Sequence, residues 1–239
     1  MSEPVRWHAL VDAEALRARA AEHVLDAAAR AIRARGRFHV ALAGGATPRG
    51  VYALLRTAMT DWIAWQIYFG DERCLPRGDD GRNSTMAAKA WLDHVAVPGK
   101  QVRQIPAELG ARRAAAAYAA ELRLVGEFDL VLLGLGSDGH TAALFPGQDW
   151  GTAPEAADAL AVLDAPEPPA QRVSLSAARL SRARAVLFLV EGERKRAAIS
   201  RWRAGEPLPA SAIRPATGVD VLVTASLIEG GVVRESDDR

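Results

Sequence analysis

Short apolar runs alternate along this chain with longer stretches of helical period. The alternation predicts an α/β fold, a mostly parallel sheet flanked by helices. Strands are expected at 37–45 (RFHVALAGG), 65–70 (WQIYFG), 128–136 (FDLVLLGLG), 172–176 (RVSLS), 185–190 (AVLFLV) and 219–224 (VDVLVT). Strands covered on both faces read as unbroken Val, Leu and Ile, as three of these runs do. A weaker run at 101–105 (QVRQI) fits a sheet edge. Helices fit 12–35 with Asp12 as N-cap, 48–59 after a Thr-Pro start, 83–94, 111–125 and 193–204. The residues ahead of the first glycine-marked turn read as one strand and one helix. Residues 147–171 hold four of the 13 prolines and several small residues, which predicts an irregular excursion over the surface. No composition shift marks a boundary, so 1–239 is expected to be a single domain.

Composition narrows the picture. Of 239 residues, 49% are hydrophobic and 25% charged, enough to bury a core and too apolar for global disorder. The formal charge is +1, so no nucleic-acid partner is expected and any attraction for anions must come from local placement. The basic residues are 27 Arg and only 3 Lys, a bias that reflects genome composition more than function. Cys74 is the single cysteine, so no internal disulfide can form, and no Cys/His cluster has zinc spacing. Without a partner histidine nearby, Cys74 reads as a small buried side chain rather than a nucleophile. The start of the chain has no basic segment leading into an apolar one, and the apolar runs are too short to span a bilayer. A cytoplasmic protein without membrane partners is the expectation.

In an open α/β sheet, ligands sit beyond the carboxyl ends of the strands. Three polar, glycine-marked segments should meet there: GGATPRG, DERCLP and SDGHTAALFPG. Gly44 and Gly45 let the backbone approach a ligand, and free amides at the following helix start, with the Thr47 hydroxyl, suit a phosphate. The same segment equally suits an ordinary strand-to-helix turn with Thr47 as cap. Asp71 and Arg73 stand at a strand end, where a solvated charge cluster is the simpler explanation. GLGSDG matches the dinucleotide pattern G-x-G-x-x-G, but it begins past the midpoint and no acidic strand end follows at the required distance. A nicotinamide-dependent dehydrogenase is thereby disfavoured. Leu135 rules out a nucleophile elbow.

Of the five histidines, only His140 sits on a glycine-rich turn at a strand's carboxyl end. A neutral imidazole there can take a proton from water near neutral pH. Asp138 either orients it or caps a helix starting at this point. Arg172 and Lys195 follow later strands; each can be a surface charge, although Lys195 belongs to a rare residue type in this chain. A dianion held by loop amides and two cations gains roughly 1.5–3 kcal/mol per charged hydrogen bond.

GGATP, FGDERCLP with Asn83 downstream, FDLVLLGLGSDGHTAALFPG, RVSLS and the Gly192-to-Lys195 spacing occur in this order. Together they resemble the 6-phosphogluconolactonase family, within the glucosamine-6-phosphate isomerase/6-phosphogluconolactonase superfamily. The resemblance implies a modified Rossmann-like fold and hydrolysis of 6-phospho-D-glucono-1,5-lactone in the oxidative pentose phosphate pathway, with no metal or organic cofactor. It implies that His140 acts as general base, with Asp138 and Asp71 beside it. Gly44, Gly45, Thr47, Arg172 and Lys195 would hold the phosphate, and Arg73 would lie on phosphate or sugar hydroxyls. The isomerase/deaminase branch characteristically continues into an Asn-Glu-Pro segment, where this chain has Leu144-Phe145-Pro146-Gly147. It remains the nearest alternative, with Asp71 as the proton-moving carboxylate. A non-catalytic phosphosugar sensor would need a DNA-binding module, for which the residues before Gly44 leave little room. The family commonly has Ser where this chain has Arg82, which predicts an altered pocket rim.

Overall fold

The computed structural model describes residues 5–228. Its elements in chain order are β1 (Val5–Leu10), α1 (Ala13–Arg35), β2 (Phe38–Leu42), α2 (Ala46–Leu55), β3 (Trp65–Phe69), β4 (Asp71–Arg73), α3 (Asn83–Ala90), α4 (Ala111–Leu122), β5 (Leu130–Gly134), β6 (Ala159–Val162), β7 (Arg172–Leu175), α5 (Ala177–Ser181), β8 (Val186–Val190), α6 (Arg196–Arg203) and β9 (Val219–Thr224). Six strands form one wholly parallel sheet in the order β1-β9-β8-β5-β2-β3. The apolar runs became its centre: every residue of β8 is buried, as are Leu130 to Leu133 of β5. Strand β1 lies at one edge, paired with β9 from Val5↔Val219 to Leu10↔Thr224.

Helix α1 starts as expected, with the Asp12 carboxylate accepting from Ala15 N at 2.8 Å, and it ends on Gly36 in the left-handed region at φ 72°. Its alanines Ala20, Ala21, Ala27, Ala28 and Ala31 are buried, which lets the helix lie close on the sheet. The expected helix at 83–94 is α3 followed by a 3₁₀ turn, Leu92–His94, and the one at 193–204 opens with a 3₁₀ turn, Glu193–Lys195.

Three expectations are corrected. The run 172–176 does not join the main sheet; β7 is the middle strand of a separate antiparallel sheet, β4-β7-β6. Gly70 is the reason. It follows β3 directly, donates to Leu42 O in the main sheet at 2.9 Å and accepts from Leu175 N at 2.8 Å, so the chain changes sheets at one residue. The excursion 147–171 is not wholly irregular, since it contributes β6. QVRQI is not a strand: it touches the edge through one bridge, Ile67↔Val102, with Arg103 N donating to Ile67 O at 2.8 Å.

The end of β2 is anchored by Tyr52 of α2. The fully buried phenol accepts from Ala43 N at 3.0 Å and donates to Ala43 O at 2.8 Å, which satisfies both backbone groups just before the glycine pair. Tyr52→Phe strands both groups without water, so it should lower unfolding free energy by about 1–3 kcal/mol. Urea melts should show a lower midpoint with an unchanged slope; an unchanged midpoint would contradict this anchoring.

Candidate active site

Beyond the carboxyl ends of β2, β5 and β8 lies a cavity of about 610 Å3. Gly44, Gly45, Thr47, Asp71, Arg73, His140, Arg172 and Lys195 all line it, so the structure gathers these separately expected residues around one space. Asp138 is outside the lining and stands behind His140.

Gly45 caps α2 at φ 103°, a conformation that favours glycine, and its carbonyl accepts from Arg49 N at 3.1 Å. Ala46 and Thr47 thus supply helix-start amides beside the cavity. Thr47 lies inside the first turn and is not the cap. Gly44 serves a purpose that its sequence context does not suggest. A Cβ there would lie 2.0 Å from Asn83 Oδ1, so the glycine makes room for an amide side chain while its backbone still lines the cavity.

Strand β4 alternates its faces, as strands must. Asp71 and Arg73 turn to the cavity, while Glu72, with no exposed surface, turns away. Glu72 Oε1 accepts from Arg73 N at 2.9 Å and Asn83 N at 2.7 Å, and Oε2 accepts from Ser84 N at 2.9 Å. The buried carboxylate therefore caps α3. It also pairs with Arg82, whose Nε stands 3.3 Å from Oε2. Arg82 is not at the pocket rim, as its place in the motif had suggested. It is 1% exposed beneath the site, donating to Ile105 O at 2.7 Å and to Glu108 at 3.0 Å. Asn83 also lines the cavity, and its Nδ2 donates to Asp71 O at 3.0 Å.

Burial pushes the Asp71 carboxyl up to about 6, against the opposing pull of Arg73, Arg172 and the Asn83 amide. In the β4–β7 register Arg73 faces Arg172 directly. Like charges opposite one another weaken a sheet, so the pairing costs stability unless an anion lies between them. Arg172 is aimed by the excursion: its Nη2 donates to Glu167 O at 2.9 Å and its Nε to Pro169 O at 3.3 Å. Lys195 is carried on the turn after Gly192, which sits at φ 94°. Burial, reinforced by Arg194, pulls its ammonium below the usual lysine range.

His140 Nδ1 lies 2.6 Å from Asp138 Oδ1, which also accepts from His140 N at 3.0 Å. Desolvation works against the Asp138 carboxylate, but these contacts outweigh it and hold the carboxyl below its usual range. No helix follows this turn, so the expected helix-cap alternative for Asp138 is replaced by an orienting contact to imidazole. With Nδ1 engaged, Nε2 is the nitrogen left for a substrate. Gly136 is dictated by the pair, because a Cβ there would lie 2.1 Å from His140 Nδ1. Phe145 packs on the ring at 4.8 Å between centroids, and Ala142 on the cavity wall adopts φ 49°. Cys74 is outside the lining, half-buried, its thiol raised by burial. Among the described residues no group of His, Cys, Asp and Glu converges as a metal site.

The sequence reading assigned no role to Glu72, Arg17, Glu191 or Arg194, and left Asn83 out of the site. Strand alternation was the available signal for Glu72. For Arg17 on α1 nothing in the local sequence pointed to the cavity.

Residues 11–222 match the family model described as glucosamine-6-phosphate isomerases/6-phosphogluconolactonase. The chain is 37% identical over 212 residues to a 6-phosphogluconolactonase of Streptomyces coelicolor, covering 81% of this chain and 79% of that protein. It is 36% identical over 213 residues to the GDH/6PGL endoplasmic bifunctional protein of Oryctolagus cuniculus, covering 83% of this chain but only 26% of that longer protein. The solved 6-phosphogluconolactonase from Trypanosoma brucei superposes with a TM-score of 0.86 at 26% identity, over 97% of this chain and all of that one.

A carboxyl raised by folding holds its proton more tightly in the native state, so stability falls as pH climbs from near 3.8 to beyond about 6. Asp71→Asn should remove that dependence. Relative to the variant, the parent should lose on the order of 3 kcal/mol between about pH 3 and about pH 8 in denaturant melts. Parallel pH profiles for the two proteins would show that Asp71 is not raised.

Proposed function

The chain belongs to the glucosamine-6-phosphate isomerase/6-phosphogluconolactonase family, and we propose that it hydrolyses 6-phospho-D-glucono-1,5-lactone to 6-phospho-D-gluconate. The carrying observation is the Asp138–His140 pair on one wall of a cavity whose other walls collect Arg73, Arg172 and Lys195.

In this reading the amides of Ala46 and Thr47, the Thr47 hydroxyl, Arg172 and Lys195 hold the 6-phosphate. Burial strengthens these contacts, since Arg172 is buried and Lys195 half-buried, each already stripped of part of its water. Asp138 fixes the tautomer that leaves His140 Nε2 basic. A water gives its proton to Nε2 while its oxygen bonds to C1 of the lactone, and the carbonyl electrons move onto the oxygen. When the tetrahedral species collapses, the C1–O5 bond breaks and the imidazolium returns the proton to O5. Arg73 and Asp71 bracket the sugar hydroxyls, and the reaction consumes one water without a redox partner. Positioning by the phosphate end adds to a general base that supplies about 10²–10⁴ in rate. The setting in which it acts is proposed to be cytoplasmic, and among the described residues no helix is long and apolar enough to cross a membrane.

One observation favours a second reading, aldose–ketose isomerisation or deamination. Asp71, raised to about 6 in the same cavity, is tuned for moving a proton at carbon. The deciding experiment follows 6-phosphogluconate release from freshly made lactone, corrected for spontaneous hydrolysis. The parent should turn over rapidly in EDTA, and His140→Ala should fall by about 10²–10⁴. A parent at the background rate would overturn the lactonase reading, and turnover of glucosamine 6-phosphate would install the alternative. Full activity in His140→Ala would remove the base assignment.

A further inference from the structure

Arg17 reaches the cavity from α1, an element the phosphosugar reading otherwise leaves out. Arg17 lines the same space as the Gly44–Thr47 turn and Lys195. Nη2 donates to Glu191 Oε1 at 2.6 Å, and Glu191 immediately precedes Gly192 on the Lys195 turn. A carboxylate at that position repels a phosphate dianion, and Arg17 neutralises it. The pair leaves donors and acceptors over. Arg17 Nε and Glu191 Oε2 are buried atoms with no hydrogen-bond partner among the described residues. Buried polar atoms are normally paired, so this guanidinium is left incompletely satisfied, although Nε itself packs against Gly50 and offers no surface to a ligand.

Gly50 supplies an independent observation. It lies inside α2, outside the left-handed region, so its conformation does not call for glycine. A glycine there weakens the helix relative to alanine. Its use is space: a Cβ at this position would stand 2.7 Å from Arg17 Cδ and 2.8 Å from Arg17 Nε. The chain accepts a weaker helix, and the Arg17 side chain lies across the start of α2, whose first amides face the same cavity.

We infer that Arg17 is a third side-chain cation of the phosphate seat, beside Arg172 and Lys195, with Glu191 as the partner that holds it in place. Its ligand is a phosphate monoester dianion, and its effect is to favour phosphorylated over unphosphorylated sugar lactones. The inference rests on the phosphosugar reading of the cavity. The rival role for Arg17 is a counter-ion for Glu191 and nothing more.

A double-mutant cycle separates the two roles. KM and kcat for the lactone would be measured beside calorimetric Kd values for inorganic phosphate and 6-phosphogluconate. Arg17→Met should raise KM and both Kd values about tenfold with kcat within about twofold, the pattern of lost uniform binding. Glu191→Gln should tighten phosphate binding, because the seat loses a negative charge. The Arg17→Met/Glu191→Gln protein should recover only part of the loss, because the Glu191 repulsion goes but the Arg17 donor is still missing, and should stay several-fold weaker than the parent. Gly50→Ala should raise KM several-fold by displacing Arg17 while its melting temperature holds or rises, which excludes a folding defect. Parental Kd and KM in the double variant would assign Arg17 to neutralising Glu191 only and overturn the inference, as would parental values in Arg17→Met. A parent that binds 6-phosphogluconate without hydrolysing the lactone would fail the lactonase reading alone and leave the binding arm decisive.

Discussion

The Glu72 carboxylate, wholly buried, governs how the site is assembled. A charge without solvent is tolerable only when donors surround it, and Glu72 has three backbone amides and the Arg82 guanidinium. Removing one member of such a buried pair typically costs about 3–5 kcal/mol, because the survivor is left uncompensated. The same contacts set geometry. They fasten the start of α3 to β4, which brings the Asn83 amide over Gly44 and under the backbone of Asp71. Three chain segments are thereby brought to one corner of the cavity by a residue that never faces it. Arg82 extends the brace to Ile105 and Glu108, so its guanidinium acts through packing below the site.

Around that brace the cavity is built against stability. Arg73 and Arg172 face one another across β4 and β7, Lys195 is half-buried beside Arg194, and Asp71 is desolvated near all of them. Each arrangement raises the free energy of the fold, and an anion lying between the two guanidiniums would offset their mutual repulsion. Such concentrated local cost is what a binding site on a rigid sheet requires, since pre-placed charges need no rearrangement when the substrate arrives. Ala142, a non-glycine residue at positive φ on the same wall, follows this pattern.

Much of this was legible in the sequence because strand ends place residues by simple rules. Short apolar runs predicted β2, β3, β5, β8 and β9, and the residues after them, Gly44 to Thr47, Asp71, His140 and Lys195, do line one cavity. What escaped detection depended on partners distant in sequence. The four residues of β7 read like any buried strand, and only the sheet change at Gly70 decides that they pair with β4 and β6. Asp138 looked like a helix cap because a helix was expected to start there, and the chain forms turns instead. Gly44 resembled a ligand-approach glycine, yet the neighbour demanding the space is Asn83. Arg17 belongs to an alanine- and arginine-rich helix whose pattern distinguishes a core face but not one cation from another.

The pairing of β1 with β9 carries a consequence for how the chain is made. Val5 meets Val219, and among the described residues no other strand of the main sheet neighbours β1. At synthesis rates of about 5–20 residues per second, β1 leaves the ribosome roughly 10–40 s before β9, its partner among the described residues. During that interval α1 has no completed sheet edge to lie on, while β2, β3 and β5 can already pair. The sheet therefore grows outward from its middle, and β1, although made long before β8 and β9, is among the last strands to be incorporated.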